Sequence, residues 1–126
     1  LKFYEAMKSG KDVTVWGTGE ASREFLYAPD CAEAIKLAVQ KDVGPEPINI
    51  GTGKEIKIID LAETIADLMG FNGTIFFDSS KPDGQPRRCL DTTRAKERLV
   101  FEATTDLKTG LNSTIEWFWK QVIRGV

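Results

Sequence analysis

Two stretches hold the residues that could do chemistry. In Val13–Asp30, VTVWGTGEASREFLYAPD, an indole at Trp16 and a guanidinium at Arg23 stand on either side of a glycine-bracketed loop. The indole offers a stacking face for a base or a sugar, and the guanidinium a rigid donor fork that matches phosphate oxygens. In Asp78–Arg88, DSSKPDGQPRR, the charged residues Lys81, Asp83, Arg87 and Arg88 surround Pro82, Gly84 and Pro86. Cations meet phosphates, and a carboxylate accepts from ribose hydroxyls or from the N–H edge of a base, so this set suits a nucleoside diphosphate. The prolines lower the entropy lost when such a loop orders on a ligand. Each feature also has a plain structural alternative. Trp16 can be core, Arg23 can pair with Glu24 or Glu20, and the charged loop can be solvated surface.

Other chemistries are excluded or weak. The chain has no histidine, which removes imidazole bases, Ser-His and Cys-His pairs and His-containing zinc sites. Cys31 and Cys89 make neither a disulfide framework nor a metal-ligand spacing, and a reducing cytoplasm is the expected compartment. Tyr4 and Lys8 have the Tyr-x-x-x-Lys spacing, but without a cofactor site beside them the pair is discounted. Gly51-Thr52-Gly53 lacks the third glycine of a dinucleotide fingerprint, and Lys54–Ile59 separates it from the next helix, so its glycines are read as serving a tight turn.

The elements that must position these residues alternate. Leu1–Ser9 reads as the end of a helix stopped by Gly10. Val13–Trp16 and Arg23–Tyr27 read as a pair of strands. Asp30–Glu33 has the form of a capping box for a helix over 30–41, and Asp60–Glu63 that of a second one for a helix over 60–69 ended by Gly70. Pro47–Ile50 and Thr74–Phe77 read as short strands, Lys54–Ile59 alternates like one, and Arg88–Leu90 is a further short candidate. A helix is expected over 92–99. Leu107, Leu111, Ile115, Phe118 and Val122 form the apolar stripe of a last helix over 105–123, with Trp117 and Trp119 flanking it as packing or interface residues. The expected fold class is α/β, one small mixed domain of short strands and helices over residues 1–126.

Composition agrees with that class. The chain has 126 residues, 41% of them hydrophobic, and a formal net charge of −2 with no long run of one sign. That argues against a nucleic-acid surface or a polybasic membrane contact. No window approaches the ~20 apolar residues of a membrane span. The chain opens on Leu1, so a processed or excised piece of a longer protein is expected.

The motifs VTVWGTG, REFLY, NIGTG, DSSKPDGQPRRCLDTTRAKERL and TIEWF, in this order, resemble the C-terminal part of extended short-chain dehydrogenases/reductases acting on nucleotide sugars. The SKPDG-x-PR-x-x-LD pattern is the more specific signal and resembles the GDP-L-fucose synthase subgroup, 3,5-epimerase/4-reductases of GDP-4-keto-6-deoxymannose. The resemblance covers nearly the whole chain. It implies an extended Rossmann-type enzyme of which this chain is the substrate-binding lobe, with Trp16, Arg23, Asp83 and Arg88 in the GDP-sugar site. It also implies that the NADP-binding half, its catalytic residues and the homodimer interface lie outside the chain. No catalytic, cofactor-binding or metal-binding residue is then expected within 1–126, and the chain alone is expected to be inactive. Relatives of other nucleotide-sugar specificity share the VWG and REF features, and a stand-alone binding module without catalysis is the reading of another class.

Within the four, Asp83 suits the N1–H and N2–H donors of guanine, which favours GDP over UDP or dTDP, and all four are expected to converge on one cleft. The chain departs from the family pattern at three places. Arg88 stands where the family commonly has lysine, Tyr27-Ala28-Pro29-Asp30 where it has His-Val-Asp-Asp, and Val100 where it often has glycine.

Overall fold

The structure is a computed structural model. It describes the backbone of residues 1–124 and the side chains through Val122. Helix α1 (Lys2–Ser9) leads into β1 (Val13–Trp16), and β2 (Ser22–Glu24) into α2 (Ala28–Gln40). Then come β3 (Glu55–Lys57), α3 (Ile58–Met69), β4 (Ile75–Asp78), β5 (Arg87–Arg88), a π-helical turn at Ala95–Leu99 and α4 (Leu107–Arg124). The class is α/β.

The two strands of the opening stretch do not pair with each other. Strand β1 pairs in parallel with β4, Val13 opposite Ile75 and Trp16 opposite Asp78. Strand β2 lies in a second sheet, between antiparallel β3 and parallel β5. The pairing expected from proximity loses because the loop between them is itself engaged. Its Gly19 and Ala21 carbonyls accept from Ile59 N–H and Ile58 N–H, each at 3.0 Å.

Those two bonds also explain why α3 starts at Ile58 rather than at Asp60. Its first N–H groups are satisfied by the loop, with no side-chain cap. The other expected capping box also does a different job. Helix α2 starts two residues early, with Pro29 in its first turn, where a missing N–H costs nothing. The Asp30 carboxylate instead accepts from Thr105 N–H at 3.0 Å and Thr105 Oγ1 at 3.1 Å, tying α2 to the segment before α4.

Pro47–Ile50 is not a ladder strand. Side chains hold it instead, Arg94 Nη1 donating to the Pro47 carbonyl at 3.0 Å and its own Asn49 Nδ2 to the Asp91 carbonyl at 3.1 Å, while Ile48 and Ile50 pack inward.

Two apolar nuclei result. Phe3, Ala6, Val13, Ala62 and Ala66 pack α1 and α3 on the β1–β4 sheet. Ala34, Ala95, Leu99 and Phe101 pack α2 on the π-helical turn, where two alanines with no exposure permit close approach. Tyr4 stands edge-on to Phe118 and Trp119, joining α1 to α4, and Lys8 Nζ lies 5.6 Å from its ring centroid. The Tyr4–Lys8 spacing thus serves packing. Trp119 joins that cluster, and Trp117 is largely exposed.

The π-helical turn ends on Val100 at φ 56°, ψ 37°, the only non-glycine residue at positive φ among those described. A β-branched side chain there is strained, on the order of 1–2 kcal/mol. The helix end keeps its left-handed cap, with Phe101 N–H on the Ala95 carbonyl at 3.1 Å and Lys41 Nζ on that of Leu99 at 2.7 Å. The Val100 side chain is 76% exposed, so little packing is lost with it. Val100→Gly is expected to stabilise the chain by about 1 kcal/mol in denaturant unfolding, the relieved strain exceeding the added chain entropy. A loss of stability would show that the strain is absent.

Candidate functional site

Arg23 and Arg88 are register partners in the parallel β2–β5 pair, so their side chains leave the sheet side by side. Together with Glu24, Phe25, Leu26, Ile50, Gly51 and Leu90 they line a cleft of about 330 Å³. Arg23 is not paired with Glu24 or Glu20. Its Nη1 donates to the carbonyls of Ser22 at 2.6 Å and Gln85 at 2.7 Å, and Nη2 reaches that of Asp83 at 3.4 Å. Its Nε–H makes no hydrogen bond among the described residues. The guanidinium is therefore held in place by carbonyls while part of its donor fork stays open to an anion. Glu20 pairs with Lys57 at 2.7 Å. Arg87 turns to Glu55, also at 2.7 Å, and takes no part in the cleft.

Asp83 and Trp16 stand outside the lining of this cleft. Both oxygens of the Asp83 carboxylate are taken by Thr18, Oδ1 accepting from its N–H and Oδ2 from its hydroxyl, each at 2.7 Å. These bonds hold the carboxyl below the usual aspartate range. Asp83 clasps the Gly17–Gly19 loop to the charged loop, and the base-reading role expected of it meets a carboxylate already engaged. A Cβ at Gly17 would overlap its Oδ1, so only glycine admits the clasp. Trp16, next to that glycine, is 68% exposed, which excludes the core reading. Lys81 Nζ lies 6.0 Å from its ring centroid, at the edge of cation–π range. Asp83 thus links the loop that follows Trp16 to the strand that carries Arg23.

Glu24 is the residue that sequence reading missed. Its Oε1 accepts from the N–H groups of Thr52 and, at 3.1 Å, Gly53, and its Oε2 from that of Leu90 at 2.7 Å. Burial pushes this carboxyl up, but the three N–H groups outweigh it, helped by the Cys89 thiol, and the net shift is downward. The thiol itself is pushed up, by burial first and then by Glu24. Both GTG loops therefore receive a carboxylate of this chain, Asp83 at the first and Glu24 at the second. The second loop does bind an anion, as backbone N–H nests do, but the anion is Glu24. A dinucleotide pyrophosphate does not fit either loop, since the N–H groups it would need are engaged and neither loop opens directly into a helix.

The NAD dependent epimerase/dehydratase family matches residues 1–51. In sequence and fold the chain is similar to extended short-chain dehydrogenases/reductases, and among them to nucleotide-sugar epimerases and reductases. More particularly, it is 40% identical over 123 residues to the probable GDP-L-fucose synthase 1 of Oryza sativa subsp. japonica, covering 97% of this chain and 37% of that protein. The NADP-bound GDP-L-fucose synthetase of Naegleria fowleri superposes with a TM-score of 0.87 at 30% identity, over 97% of this chain and 39% of that one. The UDP-glucose 4-epimerase of Thermotoga maritima with UDP-glucose superposes with a TM-score of 0.84 at 32% identity, over 95% and 38%. The chain thus spans under two fifths of the length of these relatives. Among the described residues no helix is long and apolar enough to cross a membrane.

Proposed function

We propose that the chain is the substrate-binding portion of an NADP-dependent nucleotide-sugar epimerase/reductase of the GDP-L-fucose synthase kind, acting on a GDP-sugar, with NADP held by a part outside residues 1–126. The observation that carries this reading is the side-by-side pair Arg23 and Arg88 at the wall of one cleft. Two guanidiniums can neutralise a pyrophosphate, and the apolar lining from Phe25, Leu26, Ile50 and Leu90 excludes water on one side. A homodimer formed through that outside part belongs to the same proposal.

A second reading, a UDP-sugar relative, draws support from the clasp on Asp83, which occupies part of the acceptor capacity offered for guanine. NMR-detected titrations of the chain with GDP, UDP and dTDP separate the two. GDP is expected to bind several-fold more tightly. Equal or tighter binding of UDP would favour the second reading, and no shift in the cleft residues with any nucleotide would leave a non-binding module. The chain alone is expected to turn over no NADPH with a 4-keto sugar nucleotide, and measurable turnover would overturn the division of labour.

A further inference from the structure

We propose that Glu24 is a positioning residue of the cleft: its carboxylate, seated on the Thr52 and Gly53 N–H groups and on that of Leu90, holds the strand carrying Arg88 beside Arg23. The inference rests on the reading of the Arg23–Arg88 cleft as a phosphate site.

On the N-terminal side of Arg88, strand β5 is tied by Arg87 to Glu55 and by the Gln85 carbonyl to Arg23; on its C-terminal side Glu24 provides the tie. The strand is two residues long, paired with β2 at Ser22–Arg87 and Arg23–Arg88, with one flanking bond from Ser22 N–H to the Pro86 carbonyl at 2.9 Å. Such a short ladder is weak and its register is poorly specified. Glu24 lies one residue beyond that pairing on β2 and catches Leu90, two residues beyond Arg88. The same carboxylate catches the loop at Thr52 and at Gly53, which has φ +68°, and it lies so close to Gly51 that a Cβ there would overlap Oε1. Leu90, and Ile50 and Gly51 that lead into the caught Thr52, are cleft walls. Glu24 thus joins three segments of the lining.

The chemistry requires a carboxylate. Three N–H donors converge on two oxygens, and a glutamine would turn an NH₂ group toward some of them. The charged and titratable groups around Glu24 are Cys89, which faces it, Glu55, its register partner on β3, and the arginines of the cleft. Arg87 is engaged by Glu55, which in turn accepts from Ser22, so neither replaces Glu24 at the N–H groups. The folded-state value is depressed, so the clasp is complete at neutral pH and is lost as pH falls through that value.

The test is a double-mutant cycle on the chain, with GDP-mannose as the probe because its phosphates carry constant charge across the pH range. Native, Glu24→Gln, Arg88→Ala and the double variant are titrated by NMR. Each single change is expected to weaken binding about ten-fold, and the double change to be no weaker than Arg88→Ala alone, since Glu24 acts through Arg88. Additive losses would mark a general structural role and overturn the proposal. Arg88→Ala weakened with Glu24→Gln unchanged would overturn it alone, whereas unchanged binding by Arg88→Ala would sink the phosphate reading and the inference with it. The native chain supplies a second measurement that needs no variant. On acidification the amide resonances of Thr52, Gly53 and Leu90 are expected to move together with one midpoint below the ordinary glutamate value. Unrelated midpoints would overturn the clasp even if Glu24→Gln failed to fold.

Discussion

Arg23→Ala is expected to lower the affinity of the chain for GDP by ten-fold or more. Two losses combine in it. The first is a charge-assisted contact to the diphosphate, worth roughly 1.5–3 kcal/mol, which is about ten-fold to more than a hundred-fold in affinity. The second is the tie that Arg23 makes to the charged loop through the Gln85 and Asp83 carbonyls, at 2.7 and 3.4 Å. Losing it frees the loop, so a ligand must order more chain on binding. Arg23→Lys separates the two. Lysine keeps the charge but cannot donate to Ser22, Gln85 and an anion at once from one planar fork. It should recover part of the affinity and little of the loop order, read from amide exchange of Lys81, Asp83, Gly84 and Gln85. Native affinity in Arg23→Ala would remove the phosphate role from the cleft.

The parts of this arrangement that sequence makes legible are those set by local rules. Gly10 and Gly70 end α1 and α3 in left-handed caps at φ 64° and φ 68°, as their place after an apolar-periodic run implies. The stripe from Leu107 to Val122 lies on α4, and Ile115 at its middle is buried. What escapes local reading is partner choice over distance. Strand β1 pairs in parallel with β4 rather than with β2, across a crossover of β2, α2, β3 and α3 that no local rule spans. Glu24 read alone is a strand-face charge. Its partners lie 28, 29 and 66 residues away, and nothing in REF announces them. Asp83 is the same case, since nothing in the charged loop announces its bonds to Thr18, 65 residues earlier. The signal that could have found both clasps is the repeated GTG. A loop rich in N–H groups, with no ligand-binding helix behind it, needs an acceptor from its own chain.

Gly17→Ala tests the first clasp, and Gly10→Ala is its internal control. Both glycines are at positive φ, +87° and +64°, so alanine is strained at either, by about 1–2 kcal/mol. At Gly10 nothing lies within 4 Å of the added Cβ, so strain is the whole cost. At Gly17 the new methyl overlaps the Asp83 carboxylate and lies 3.2 Å from its Cα. The side chain must leave Thr18, and the backbone beneath it has little room to follow. Overpacking of this kind adds about 1–3 kcal/mol to the strain. Gly17→Ala is therefore expected to lose roughly 2–5 kcal/mol in denaturant unfolding, against about 1–2 for Gly10→Ala. The Thr18 amide should lose protection from exchange in the first variant and keep it in the second. Affinity for GDP should fall with the first alone, because Asp83 ties the Trp16 loop to the carbonyl that Arg23 Nη2 reaches. Equal stability losses at the two glycines, with Thr18 protected in both, would mean that the Asp83 side chain moves aside without cost and that the clasp does not hold the two loops together.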